Sequence, residues 1–180
     1  MFTLTINTDL KLALVETSFA KSYYSIVCQQ RDYLQQWLPW AKHANDIDFF
    51  LTFINKSLHD YADGKSLTCA IIYQDNIVGN ISFNRILSAL KKVEIGYWLR
   101  QDYRGKGIVT QSVSALIDYA FNRLDMQVVQ ISAAVDNLPS RRVCERLGFT
   151  LQGIIPHAEN INGRVLDHAV YTLHKATNSN

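Results

Sequence analysis

The stretch Ile95-Gly96-Tyr97-Trp98-Leu99-Arg100-Gln101-Asp102-Tyr103-Arg104-Gly105-Lys106-Gly107-Ile108-Val109 constrains the fold more than any other part of the chain. It runs from an apolar strand through a short polar turn, with two glycines one residue apart, into a long amphipathic helix. Gly105 and Gly107 free the backbone to adopt conformations closed to other residues and to approach a ligand closely. The helix that follows supplies unpaired amide donors and the positive end of its dipole. Strand, glycine turn and helix start together make an anion seat, most often one for phosphate. Gly-x-Gly alone is a weak signal, because a plain strand-to-helix bend uses glycine too. Neither a full Gly-x-Gly-x-x-Gly nor a Walker A pattern is present.

The rest of the chain arranges itself around this unit. Leu10 to Val15 alternates apolar and other residues and predicts a first strand. Ser18 to Gln30 predicts a helix with Ser18 as its cap, and Arg31 to Trp40 a second helical segment closed by Pro39. Asn45 to Tyr61 carries Phe49, Phe50, Phe53, Ile54 and Leu58 on one side, a further amphipathic helix ended by Gly64. Strands follow at Leu67 to Tyr73 and Ile77 to Phe83, joined by a tight connection at Gln74-Asp75-Asn76. Val93 to Leu99 is the next strand. After Gly107, Val109, Val113, Leu116, Ile117, Ala120, Phe121 and Leu124 step by three and four, which buries one helix face. Val128 to Val135, almost wholly apolar, suits a central strand covered on both sides. A turn at Asp136 to Ser140 leads into a short helix, Arg141 to Leu147, and two antiparallel strands, Thr150 to Pro156 and Leu166 to Lys175, end the chain. The expected fold is mixed α/β, with a sheet of about six or seven strands flanked by helices.

The chain has 180 residues, of which 48% are hydrophobic and 19% charged, enough for one domain (1–180) with a substantial core. No repeat or Pro/Gly-rich linker divides it. A net charge of +2 without a Lys/Arg cluster argues against nucleic acid as a partner. Cys28, Cys69 and Cys144 form no CxxC pattern, and the five histidines have no metal-ligand spacing. Reduced thiols, no signal peptide and no membrane span point to a cytoplasmic protein without a metal.

Two motifs carry a family resemblance. Gly96-Tyr97-Trp98-Leu99 with Tyr103-Arg104-Gly105-Lys106-Gly107-Ile108 resembles the acetyl-coenzyme A motif of the GNAT N-acetyltransferases. Asp136-Asn137-Leu138-Pro139-Ser140 with Arg146-Leu147-Gly148-Phe149 resembles the second motif of that superfamily. Ala158-Glu159-Asn160-Ile161-Asn162-Gly163 and Trp37-Leu38-Pro39-Trp40 are similar to segments of the RimJ/RimL type, which acetylates N-terminal serine of ribosomal proteins. The resemblance implies a GNAT-like three-layer fold and acetyl-CoA as co-substrate. It also implies an N-terminal α-amine as acceptor, and a dimer.

It further implies roles for individual residues. Trp98, Leu99, Arg104, Gly105, Lys106, Gly107, Ile108, Val109, Thr110 and Asn137 would bind the coenzyme, and a bulge in the strand ending at Leu99 would aim an amide at the thioester oxygen. Glu159 would accept the amine proton, and Ser140 would serve the coenzyme sulfur. Trp37 and Asn84 would contact the acceptor. Each has a plainer role too: turn residue for Asn137, helix N-cap for Ser140, solvated carboxylate for Glu159, core packing for Trp37 or Trp40, surface loop for Asn84. Two positions depart from the superfamily pattern. Asp102 stands where Gln or Arg is usual, leaving the phosphate contact to Arg104, and Cys144 replaces the tyrosine four residues before Gly148-Phe149. The alternatives are an acetyltransferase for a small amine and a non-catalytic acyl-CoA-binding module.

Overall fold

The computed structural model describes residues 2–176. Its strands are β1 (Thr3–Thr5), β2 (Leu10–Leu14), β3 (Leu67–Tyr73), β4 (Asn76–Leu87), β5 (Lys92–Leu99), β6 (Val128–Ala134), β7 (Thr150–Ile161) and β8 (Arg164–His174). Its α-helices are α1 (Ala20–Leu34), α2 (Ile47–Ala62), α3 (Ile108–Asn122) and α4 (Leu138–Arg146). The strands form one sheet in the order β1-β2-β3-β4-β5-β6-β8-β7. Eight strands exceed the six or seven expected, the addition being β1. Three exposed residues are too few to show an alternation.

Pleating sorts side chains into two cores. On β3, Cys69 and Ile71 pack with Val113, Leu116 and Ala120 of α3, whereas Ala70 and Ile72 pack with Tyr23 and Ile26 of α1 and Phe50 and Ile54 of α2. The sheet is therefore a middle layer between two helical ones, as successive side chains on a strand point to opposite faces. The β3–β4 hairpin turns on Gln74 and Asp75, both at positive φ (48° and 59°), with Tyr73 paired to Asn76. That is the two-residue geometry matching strand twist.

Several boundaries differ from the sequence reading. The helix begun near Ser18 continues to Leu34 with a break in its dihedrals at Gln30. Pro39 opens a short 3-10 turn, Pro39–Lys42, instead of closing a helix. Proline is suited to a first helical position, where no N–H is needed. Arg31 fastens this turn to α1, donating from Nη1 to the carbonyl of Ala41 and from Nη2 to that of Ala44 at 2.8 Å. β4 and β7 each run well beyond the predicted strand ends, so Asn84 and Glu159 lie on strands and not in loops.

β5 and β6 are parallel, while the other neighbouring pairs are antiparallel. Their pairing runs from Lys92↔Val128 to Ile95↔Ile131 and stops there. Beyond it β5 follows β4 up to Leu99↔Gly79, and β6 follows β8 up to Ala134↔His168. The sheet thus opens into a wedge between Gly96–Leu99 and Ser132–Ala134, and α3 and α4 start at its two margins.

Candidate functional site

The wedge connects two cavities. One, of about 510 Å³, lies between the start of α3, α4 and the end of α1, and is lined by Tyr33, Trp37, Leu99, Arg104, Gly105, Gly107, Ile108, Val109, Thr110, Arg142 and Arg146 among others. The other, of about 640 Å³, lies on the side of α1 and α2 and is lined by Trp40, Phe49, Phe53, Asp60, Asn84, Glu94, Glu159 and His168 among others. Six residues border both: Trp37, Leu38, Tyr97, Trp98, Asn137 and Ser140. A long ligand in the first cavity can therefore meet a second molecule in the other only at this junction.

The first cavity is built for an anion. Gly107, at φ +73°, caps α3 without any side-chain hydrogen bond, and no acidic residue occupies the first turn. Gly105 turns at φ +76° with no atom within 4 Å of where a Cβ would stand. The start of α3 and three arginines, Arg104, Arg142 and Arg146, line this cavity. Such donors suit a diphosphate. Arg104 is placed by Tyr33, its guanidinium lying 5.0 Å from the ring centroid, and Arg146 Nη1 donates to Thr110 Oγ1 at 3.3 Å. Lys106 is not part of the lining: its ammonium lies over the rings of Tyr103 (4.8 Å) and Tyr73 (5.9 Å).

Asp102 faces away from the cavity. Its carboxylate accepts from Arg100 Nε and Nη2 (3.1 and 2.7 Å) and from Gln30 Nε2 (2.9 Å). Gln30 Oε1 in turn accepts from the Gln101 amide at 2.7 Å. The residue at the break in α1 therefore clamps the turn that precedes Gly105. Arg100 holds the Asp102 carboxyl below the usual carboxylate range.

At the junction, Asn137 caps α4, its Oδ1 accepting from the Ser140 amide at 3.3 Å. Ser140 is therefore not the cap; it sits in the first turn, half-buried, with its hydroxyl free for other partners. One is Tyr97, whose Oη lies 2.8 Å from Ser140 Oγ and 3.3 Å from its carbonyl oxygen. Burial pushes the Tyr97 phenol well above its ordinary value, partly offset by this bond. Cys144 is fully buried and burial pushes its thiol up to about 12, so at neutral pH it holds its proton.

In the second cavity, Glu159 and His168 form a pair, Oε2 to Nε2 being 3.2 Å. Asn84 is the extra residue of a bulge: Phe83 pairs with Ile95 and Arg85 with Glu94. The expected bulge on β5 is thus on its neighbour β4, because the additional residue belongs to that strand. Asn84 Oδ1 accepts from Ser82 Oγ at 2.6 Å, and its amide covers Gly96 so closely that a Cβ there would be 2.3 Å from Nδ2. Trp40 packs against Phe49, Phe50 and Trp98 with ring centroids 6.1–6.2 Å apart. Trp37 lies under the Arg164 guanidinium, 5.5 Å from its ring centroid, and Arg164 Nη2 also donates to the Gln36 carbonyl at 2.7 Å. The β7–β8 turn therefore secures the segment above the junction.

Sequence reasoning gave no side-chain role to Tyr97, His168, Arg142 or Arg146. Tyr97 and Arg146 stand inside quoted motifs, which marked their segments. His168 and Arg142 converge from β8 and α4 through tertiary packing alone. Among the described residues no group of three or more His, Cys, Asp or Glu could hold a metal, and no helix is long and apolar enough to cross a membrane.

A wedge-opened sheet, a glycine turn feeding a helix start and a cationic cavity leading to the wedge define an acyl-coenzyme A-dependent transferase. Residues 10–150 match the acetyltransferase (GNAT) domain family, and the chain belongs to it. The ribosomal-protein-serine acetyltransferase of Escherichia coli (strain K12) is 31% identical, over 94% of both chains. Among solved structures, the alpha-N-protein acetyltransferase RimL in complex with coenzyme A superposes with a TM-score of 0.93 at 29% identity, covering 96% of this chain and 98% of that one. The microcin C7 self-immunity acetyltransferase MccE, in complex with acetyl-CoA and AMP, gives 0.91 at 32% identity over 94% of both chains. The enzyme is an N-acetyltransferase that takes acetyl-CoA as its co-substrate.

Proposed function

We propose that the protein transfers acetyl directly from acetyl-CoA to the N-terminal α-amine of a protein, a ribosomal protein beginning with serine being the preferred acceptor. The junction of the two cavities at Tyr97, Trp98, Asn137 and Ser140 carries this reading, since it leaves one point where thioester and amine meet. The 31% identity to the ribosomal-protein-serine acetyltransferase supports the acceptor class.

In this mechanism the diphosphate rests on Gly105, Gly107 and the first amides of α3, with Arg104 beside it. The pantetheine arm runs through the wedge, along backbone edges that β5 and β6 no longer give each other. The acceptor enters as an ammonium, whose α-amine pKa of about 7.7–8.0 makes one deprotonation easy near neutral pH. Glu159 takes that proton, directly or through water. The amine lone pair then attacks the thioester carbon, the carbon–sulfur bond breaks, and its electron pair leaves on sulfur. A second proton, lost by the attacking nitrogen, ends on that sulfur. Ser140 stabilises the departing thiolate by donating a hydrogen bond.

A small amine is the second reading, favoured by Asp60 and Glu94 in the wall of the acceptor cavity. Asp60 is held by Lys56 Nζ at 2.6 Å, which reduces its pull on a further cation. Thiol release from acetyl-CoA, measured with serine-initiated peptides, their α-blocked forms and polyamines, separates the two readings. Mass spectrometry of the product locates the acetyl group. Transfer to polyamines alone would refute the protein acceptor.

A further inference from the structure

Ser140 can serve the sulfur only if its single proton points at the junction, and nothing on α4 compels it to. The helix cap is already supplied by Asn137. What faces the hydroxyl from across the crevice is Tyr97, two residues beyond the point where β5 leaves β6. Its phenol oxygen lies within reach of two oxygens of Ser140, Oγ at 2.8 Å and the carbonyl at 3.3 Å. The ring also borders both cavities.

We propose that Tyr97 is a positioning residue for acetyl transfer: its phenol donates to Ser140 Oγ and thereby turns the serine proton outward, toward the coenzyme sulfur. This rests on the role given to Ser140 above. When the phenol donates to the carbonyl instead, Ser140 Oγ gives its proton to Tyr97 Oη and none is left for a ligand. Negative charge on the sulfur selects the first arrangement, because a chain O–H···O–H···S⁻ polarises cooperatively whereas the second offers the sulfur only lone pairs. Tyr97 keeps its proton throughout. The proton that ends on sulfur comes from the attacking nitrogen, so the phenol and the serine finish the cycle unchanged. Cys144, buried nearby with its proton held, does not compete for this position.

The test is a double-mutant cycle on Tyr97→Phe and Ser140→Ala, assayed with a confirmed acceptor, with thermal midpoints confirming folding. Tyr97→Phe should lower kcat by about tenfold, as the loss of one oriented hydrogen bond predicts, with KM for acetyl-CoA changed less than about twofold. It should cost almost nothing further in the Ser140→Ala background. An independent readout is the thiolate absorbance of bound coenzyme A: Tyr97→Phe should raise the apparent thiol pKa by about one unit, the equivalent of that tenfold. An equal loss in both backgrounds, or an unmoved thiol titration, overturns the inference. Turnover reduced by Ser140→Ala but not by Tyr97→Phe overturns it while leaving the role of Ser140 intact. Full turnover in Ser140→Ala refutes both.

Discussion

Glu159 and His168 meet across β7 and β8, 3.2 Å apart, because β7 carries a bulge immediately before Glu159. Ile155 pairs with His168 and Glu159 with Leu166, so Pro156, His157 and Ala158 all face the single residue Asp167. His157 turns at φ +51° and gives its amide to Asp167 Oδ1 at 2.9 Å, which closes the bulge. The strand then resumes with Glu159 diagonal to His168 on the cavity side.

That geometry predicts the effect of cutting the pair. His168→Leu should lower kcat/KM for the amine by about tenfold or more, since a hydrogen bond to a charged group contributes ~1.5–3 kcal/mol. KM for acetyl-CoA, which the proposed mechanism seats in the other cavity, should stay the same. His168→Gln keeps a donor and should recover most of the loss. Steady-state kinetics with each substrate varied in turn checks both.

Two glycines under the site should respond differently to alanine. At Gly96 the atoms nearest the new methyl belong to the end of the exposed Asn84 side chain, which can swing away. The thermal midpoint should then fall by no more than a few degrees, the equivalent of ~1 kcal/mol, while the acceptor KM rises. At Gly79 the methyl would stand 2.3 Å from the backbone oxygen of Trp98. That neighbour cannot yield without parting β4 from β5, so Gly79→Ala should lose several kcal/mol, of the order seen for overpacked cores or more. Thermal melts of the two variants decide it.

Thiol chemistry should single out one cysteine. Cys28 is exposed, whereas Cys69 and Cys144 are buried and their thiols are pushed up to about 12. Iodoacetamide at pH 8 should therefore modify Cys28 in the folded protein and the other two only after denaturation. Peptide mapping reads this directly. Modification of Cys144 in the native state would contradict its burial beside the junction.

The clamp at Asp102 has a defined pH window. Its folded pKa is depressed, first by the hydrogen bond from Arg100, so its contribution to stability is complete above the ordinary carboxylate value of ~3.9. The contribution fades as pH falls through the lower folded value. Asp102→Asn should then melt below the native protein by a margin that is constant from pH 5 to 8 and narrows in more acidic buffer. Asp102 is half exposed and screened by solvent, so the margin should be small, about 1 kcal/mol or less. Coenzyme affinity should weaken with it, since Gln30 and Asp102 hold the turn leading into Gly105.

Much of this was legible because it is local. Alternation on Leu10–Val15, the three-and-four spacing after Gly107 and the Gly105/Gly107 turn each follow from backbone geometry within a few residues. The structure realises them as β2, α3 and a turn at positive φ. β1 escaped because three residues carry no period, and Pro39 misled because proline opens a helical turn as readily as it ends one. The Asn84 and Pro156–Ala158 bulges were invisible, since a bulge is a mismatch between two strands and belongs to neither sequence alone.

The site divides along the same line. The residue types and their order along the chain, from the glycine turn through Asn137–Ser140 to Glu159, stand in the sequence and are enough to mark an anion seat and a family. Which side chains touch was decided by the tertiary structure. Asn137, not Ser140, caps α4; Asp102 belongs to a clamp with Gln30 and not to the phosphate seat; and Tyr97 reaches Ser140 across an opening that exists only because β5 and β6 part after Ile95 and Ile131. Local geometry depends on neighbours in the chain. Hydrogen bonds between residues forty or seventy positions apart depend on packing that brings them within 3 Å.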